Sequence, residues 1–155
     1  DADFNEGLAS FIGEEGALTF FAARDGPKSP SALEARKRIA DERAVTAAMR
    51  TLRDQVAALY AAEPPGPARD ALRSSLEEAA RARVAALALS TIDTTALAAR
   101  LRTNDACLAL EGTYTQDLPR YEAALERFGG DLRALVAAAR LAARASDPRA
   151  ALLGP

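Results

Sequence analysis

The chain has 155 residues, 49% of them apolar and 27% charged, with a net charge of −2. That length suits one domain with a real core, and the charge balance excludes a protein that binds nucleic acid or an acidic membrane surface through excess charge. Histidine is absent, which excludes most self-contained zinc sites and every Ser-His or Cys-His device; the single cysteine, Cys107, excludes an internal disulfide.

Alanine, leucine and arginine dominate, and β-branched and aromatic residues are scarce, so helix is expected nearly everywhere and no strand. No apolar run is long enough for a transmembrane segment. The first residue is Asp1 and not methionine, so the expectation is either a removed leader or a piece of a longer chain.

The first predicted helix runs from Asp3 or Asn5, both good caps, to about Ala23, and "ARDGPKSPS" breaks it. Ser31 with Glu34 reads as a capping box opening a long helix that ends near Ala62. Within it Val45, Met49, Leu52, Val56 and Leu59 recur at fours and threes, a buried seam. "EPPGP" is a turn, and a third helix from about Ala68 to Leu89 points Leu72, Leu76, Val84 and Leu87 inward. Two long helices joined so tightly form an antiparallel hairpin.

Shorter helices follow over residues 93–147. Asp93 caps "TTALAARLR"; "TNDACLALEG" gives one or two turns stopped by Gly112; "TYTQ" is a loop. Asp117 caps a helix with Pro119 in its first turn, ended by "FGG". Asp131 caps the last helix, and Pro148 closes it. The fold class is all-α: a long antiparallel hairpin over 31–89, a buried N-terminal helix over 1–25 and several shorter C-terminal helices, in a single helical domain over 1–155.

Charge is uneven along the chain. Residues 1–27 hold six acids against Arg24, and residues 28–58 hold seven bases against four acids. The basic stretch reads as a solvated helix face, because aromatic residues for base stacking are missing there.

The first helix is the informative one. Phe4, Leu8, Phe11, Ile12, Glu15 and Leu18 share one face, while Glu6, Ser10, Gly13 and Ala17 lie opposite. An interior glycine costs roughly 1 kcal/mol relative to alanine, a cost offset only where another element packs closely. Two readings of Glu6 stand: an acid favoured by the dipole at a helix start, or a carboxylate in a closed seam that needs a cation or a metal.

"FNEGLASFIGEEG" resembles the segment after the HExxH helix in gluzincin-type zinc aminopeptidases, and is most similar to a bacterial aminopeptidase family. There HExxH and a short linker precede F-N-E-x-x-A-x-x-x-x-x-E-G. Phe4, Asn5, Glu6, Ala9, Glu15 and Gly16 match. "TNDACLALEGTYTQDLPRYEAAL" and "GGDLRALVAAAR" resemble the closing region of the same family, so the similarity covers most of the chain. Three departures stand out. The HExxH residues are absent, Gly13 replaces an expected glutamate, and Asp105 replaces an asparagine.

The resemblance implies that Glu6 is a zinc-ligating carboxylate and that Asn5 helps to orient its helix. It implies that Tyr114 donates a hydrogen bond to the oxyanion of a tetrahedral intermediate, as a preorganised donor should. A half-buried loop tyrosine is the competing reading of Tyr114. Asn104 is either a substrate contact or a helix cap, the cap being preferred. Zinc belongs to the intact protein, with two histidines and the base glutamate supplied by a missing N-terminal part; there a metal-bound water attacks a peptide carbonyl. This chain alone is expected to hold no zinc and to be inactive, with the helices after Pro27 walling a peptide cleft. The bared small-residue face of the first helix is then open or covered by a homodimer. The family's lipoprotein-like leaders suggest the bacterial cell envelope. Two alternatives remain: a helical interaction or scaffold module without chemistry, and a degenerate peptidase relative that lost its metal.

Overall fold

A computed structural model of the protein describes residues 2–154. Among these residues there are eight helices and no strand: α1 (Ala2–Asp25), α2 (Pro30–Ala62), α3 (Pro67–Ala85), α4 (Thr94–Arg100), α5 (Asp105–Thr115), α6 (Leu118–Arg127), α7 (Leu132–Ala142) and α8 (Pro148–Leu153). The fold is all-α, as composition and periodicity imply. No helix is long and apolar enough to cross a membrane among the described residues. The chain divides into two compact units, Asp1–Leu33 with Thr113–Pro155, and Glu34–Gly112.

The Glu34–Gly112 unit is built on the hairpin. Met49, Leu52 and Val56 of α2 bury against Ala80 and Val84 of α3, together with Ala98, Leu101 and Leu108. The two helices run antiparallel, as contacts at both ends of the pair show. Arg69 near the start of α3 lies over the Tyr60 ring at 4.7 Å, near the end of α2. Asp41, early in α2, meets the segment after α3: it accepts from the Ser90 amide at 2.9 Å, the Thr91 amide at 2.6 Å and the Thr91 hydroxyl at 2.7 Å. Leu72 faces outward, against expectation, with 47% exposure. Arg73 takes the inward position instead, because its guanidinium pairs with Glu77 at 2.8 Å and with Asp105 at 3.1 Å and also bonds the Thr103 carbonyl.

The other unit packs α1 on the C-terminal helices. Phe4, Leu8 and Phe11 of α1, Tyr121 and Ala124 of α6, Leu135 and Ala142 of α7, and Leu152 and Leu153 of α8 form one core. Asp117, at the α5–α6 turn, is buried and faces Arg149 of α8 at 3.2 Å and Arg120 at 3.5 Å. Two arginines of α6 hold the end of α8: Arg120 donates to the Gly154 carbonyl at 2.6 Å and Arg127 to the Leu152 carbonyl at 2.9 Å. Those carbonyls close a helix and lack intrahelical donors, so side-chain donors complete them.

Several helix ends differ from the sequence reading, each for a local reason. Helix α1 already includes Asp3 and Asn5, which therefore sit in its first turns and not at its cap. Ser29, not Ser31, caps α2 by accepting from the Ala32 amide at 3.2 Å, while the Ser31 hydroxyl bonds Asp25. Helix α3 ends at Ala85. Asp93 and Asp131 cap as expected, at 3.0 Å to Ala96 and 2.9 Å to Arg133. Asp117 stands at the N-cap of α6 without a side-chain capping bond, because its carboxylate serves the arginines. Pro148 opens a further helix instead of closing the last one, since Asp147 caps it at 2.9 Å to Ala150.

The Asp41 carboxyl is held below the usual aspartate range, chiefly by the Thr91 hydroxyl and further by the Thr91 and Ser90 amides and the Ser90 hydroxyl; burial opposes this. A lowered native pKa adds stability that is present above the unfolded value, about 4, and disappears as pH falls through the native value. Wild-type melting temperature should thus drop steeply below about pH 4. Asp41→Asn should melt lower at neutral pH and show a flatter acid limb in melts followed by circular dichroism across pH.

Candidate active site

The candidate residues on α1 lie on its outward side. Phe4, Gly7, Leu8 and Phe11 are buried, whereas Asn5, Glu6, Ser10 and Gly13 are exposed. The face opposite the phenylalanines is therefore open within this chain, not a closed seam. A Cβ added at Gly13 or at Gly16 would meet nothing within 4 Å.

Tyr114 lies on the last turn of α5 and not in a loop, because α5 continues through Gly112 to Thr115. Gly112 keeps a negative φ and does not stop the helix. Its missing side chain instead makes room for Arg53 of α2, whose Cδ would lie 3.3 Å from an added Cβ. The Tyr114 side chain is 41% exposed.

Gly7 brings these two residues into one neighbourhood. A Cβ at Gly7 would stand 3.3 Å from the Tyr114 carbonyl oxygen and 3.2 Å from the Tyr121 ring and hydroxyl. The residue after Glu6 thus faces the main chain of Tyr114 across a gap too narrow for a comfortable side chain, and the side chains of Glu6 and Tyr114 are both exposed. Of the three tyrosines, Tyr60 donates to Asp105 at 3.0 Å and Tyr121 donates to the Phe4 carbonyl at 2.9 Å. Both of those hydroxyls are committed to partners within the chain. Burial, together with nearby Asp117, pushes the Tyr121 hydroxyl pKa up to about 12, so it remains a proton donor throughout the physiological range.

Asn104 caps α5: its side-chain oxygen accepts from the Cys107 amide at 2.9 Å. Asp105 beside it accepts from Tyr60 and Arg73, so both residues hold the start of α5 in place.

Catalytic zinc takes about three protein ligands and an open position. Among the described residues no group of three or more His, Cys, Asp or Glu is placed to hold an ion. Glu6 offers one carboxylate on an open face.

The sequence reading missed Gly7, although a signal was present. Gly7 interrupts the apolar face of Phe4, Leu8 and Phe11, and a smallest residue among the largest marks a close approach.

A family model described as "Putative aminopeptidase" matches residues 1–153 of the chain. No curated protein and no solved structure gives a match.

The three glycines of α1 should respond in opposite directions to alanine. Gly13→Ala and Gly16→Ala enter open space and should each stabilise the chain by about 0.5–1 kcal/mol. Gly7→Ala gains the same helix propensity but presses on a buried ring and a backbone oxygen, an overpacking cost of roughly 1–3 kcal/mol. Urea titrations should place its midpoint below that of the wild type and those of the other two above.

Proposed function

The chain belongs to the Putative aminopeptidase family, and from that premise we propose that it is the ligand-helix portion of a gluzincin-type zinc aminopeptidase that acts within a longer polypeptide. Glu6 is the carboxylate ligand of zinc, and Asn5 beside it helps to orient the ligand helix. The remaining ligands and the general base belong to an HExxH-bearing segment outside these residues, packed on the open face formed by Glu6, Ser10 and Gly13. Small side chains on that face allow a second helix backbone to come close.

Tyr114 donates its hydroxyl to the oxyanion formed when a peptide carbonyl is attacked. A neutral phenol suits this task because it donates without needing to ionise, and a fixed donor aimed at developing charge is worth several kcal/mol. The substrate is a peptide with a free amino end. The observation that supports this reading most directly is the close approach of Gly7 to the Tyr114 carbonyl, which brings the Glu6 helix near the Tyr114 turn while both side chains are exposed.

Zinc content separates this reading from a helical interaction module or a degenerate relative. In the longest expressible polypeptide from the same gene, metal analysis should find one zinc per chain, largely lost in Glu6→Gln. Equal zinc in both proteins would reject the ligand assignment, and no zinc in either would favour a non-catalytic module. Tyr114→Phe should retain zinc yet lower kcat by about 10²–10³, the usual cost of removing an oxyanion donor.

A further inference from the structure

Two features of the Glu6–Tyr114 neighbourhood point to a residue that neither the resemblance nor the family match assigns. The first is what borders Glu6 along the chain. Phe4 lies two residues before it and Gly7 directly after it, and both face the same phenol. The Tyr121 hydroxyl donates to the Phe4 carbonyl at 2.9 Å, and a Cβ at Gly7 would lie 3.2 Å from that hydroxyl and from the ring edge. The ring also stacks on Phe11 with centroids 5.7 Å apart at 26°, and only 1% of the residue is exposed. A side chain so enclosed has one rotamer open to it.

The second is what joins Tyr121 to Tyr114. The Asp117 carbonyl accepts from the Arg120 amide at 2.8 Å and the Tyr121 amide at 3.0 Å, opening α6. Its buried carboxylate is held by Arg149 and Arg120. The turn that carries Tyr114 into α6 is therefore pinned, and the Tyr121 phenol extends from the pinned side to the backbone around Glu6.

We infer that Tyr121 is a positioning residue that sets the separation between Glu6 and Tyr114. It touches neither metal nor substrate; its length fixes how far the Glu6 turn of α1 stands from the Tyr114 turn. This role rests on the proposed function for its catalytic meaning, but the separation itself does not. Misplacing a reacting group by about 1 Å can cost on the order of 10²-fold in rate, so such a spacer has a large effect on an enzyme.

The test measures the separation directly and needs no metal. In this chain, with Cys107→Ala, spin labels are placed at Glu6→Cys and Tyr114→Cys, both exposed positions, and their distance is read by pulsed electron resonance. The parent should give one narrow distance. Tyr121→Phe, which keeps the ring but loses the Phe4 bond, should broaden it, and Gly7→Ala should lengthen it. Leu152→Ala, which opens the same core from α8, should lower the melting temperature yet leave the distance unchanged. An unaltered narrow distance in both Tyr121→Phe and Gly7→Ala would overturn the inference, as would equal broadening in Leu152→Ala. Loss of zinc in Glu6→Gln tests the ligand assignment separately. In the zinc-containing polypeptide Tyr121→Phe should lower kcat with zinc content and KM kept.

Discussion

The unit that carries the candidate site depends on one packing arrangement: the phenylalanine face of α1 laid over a single buried tyrosine of α6. Phe4 and Phe11 both contact the Tyr121 ring, with centroids 6.2 and 5.7 Å away. Burying large aromatic side chains dominates core energetics, and a buried hydroxyl must also find an acceptor. Here the acceptor is a backbone carbonyl of the helix being packed, so the apolar contact and the hydrogen bond fix the same turn. Helix α8 adds to this from the far side, through Leu152, Leu153 and the arginine-held carbonyls. Moving α6 would therefore disturb both α1 and α8.

The hairpin unit solves a different problem. Its helices are rich in alanine and arginine, so they bring little apolar surface per turn. Polar contacts at the ends make up part of the difference. Asp41 gathers the amides of Ser90 and Thr91 at one end; Tyr60, Arg73 and Asp105 interlock at the other. A carboxylate that accepts several charge-assisted bonds is a strong tether for a segment with no helix of its own.

Most of the helical architecture was legible because periodicity and breakers are local signals. The seam of Met49, Leu52 and Val56, the "EPPGP" turn and the caps at Asp93 and Asp131 all depend on neighbours within a few residues. What failed depended on partners distant in sequence. Gly112 looked like a stop because its role as a space for Arg53 is visible only in three dimensions, and Tyr114 was consequently assigned to a loop. Asp117 looked like a cap because nothing local reveals Arg149. Leu72 looked buried because nothing local shows that Arg73 is the inward residue. Within the candidate site, the acid at position 6 stood out by its setting, whereas Gly7 and Tyr121 acquire meaning only from each other.

The hydrogen bond from Tyr121 to Phe4 joins residues 117 apart in the chain. Contacts of such separation form late, because a long loop must close before they reward the chain. On the ribosome α1 emerges well before α6, and its aromatic stripe lacks the Tyr121 partner until α6 is synthesised. A nascent chain in that state exposes Phe4, Leu8 and Phe11 to anything that binds apolar helices, chaperones included. The helix that carries the candidate residues Asn5 and Glu6 is thus one whose apolar face is covered only by elements made much later.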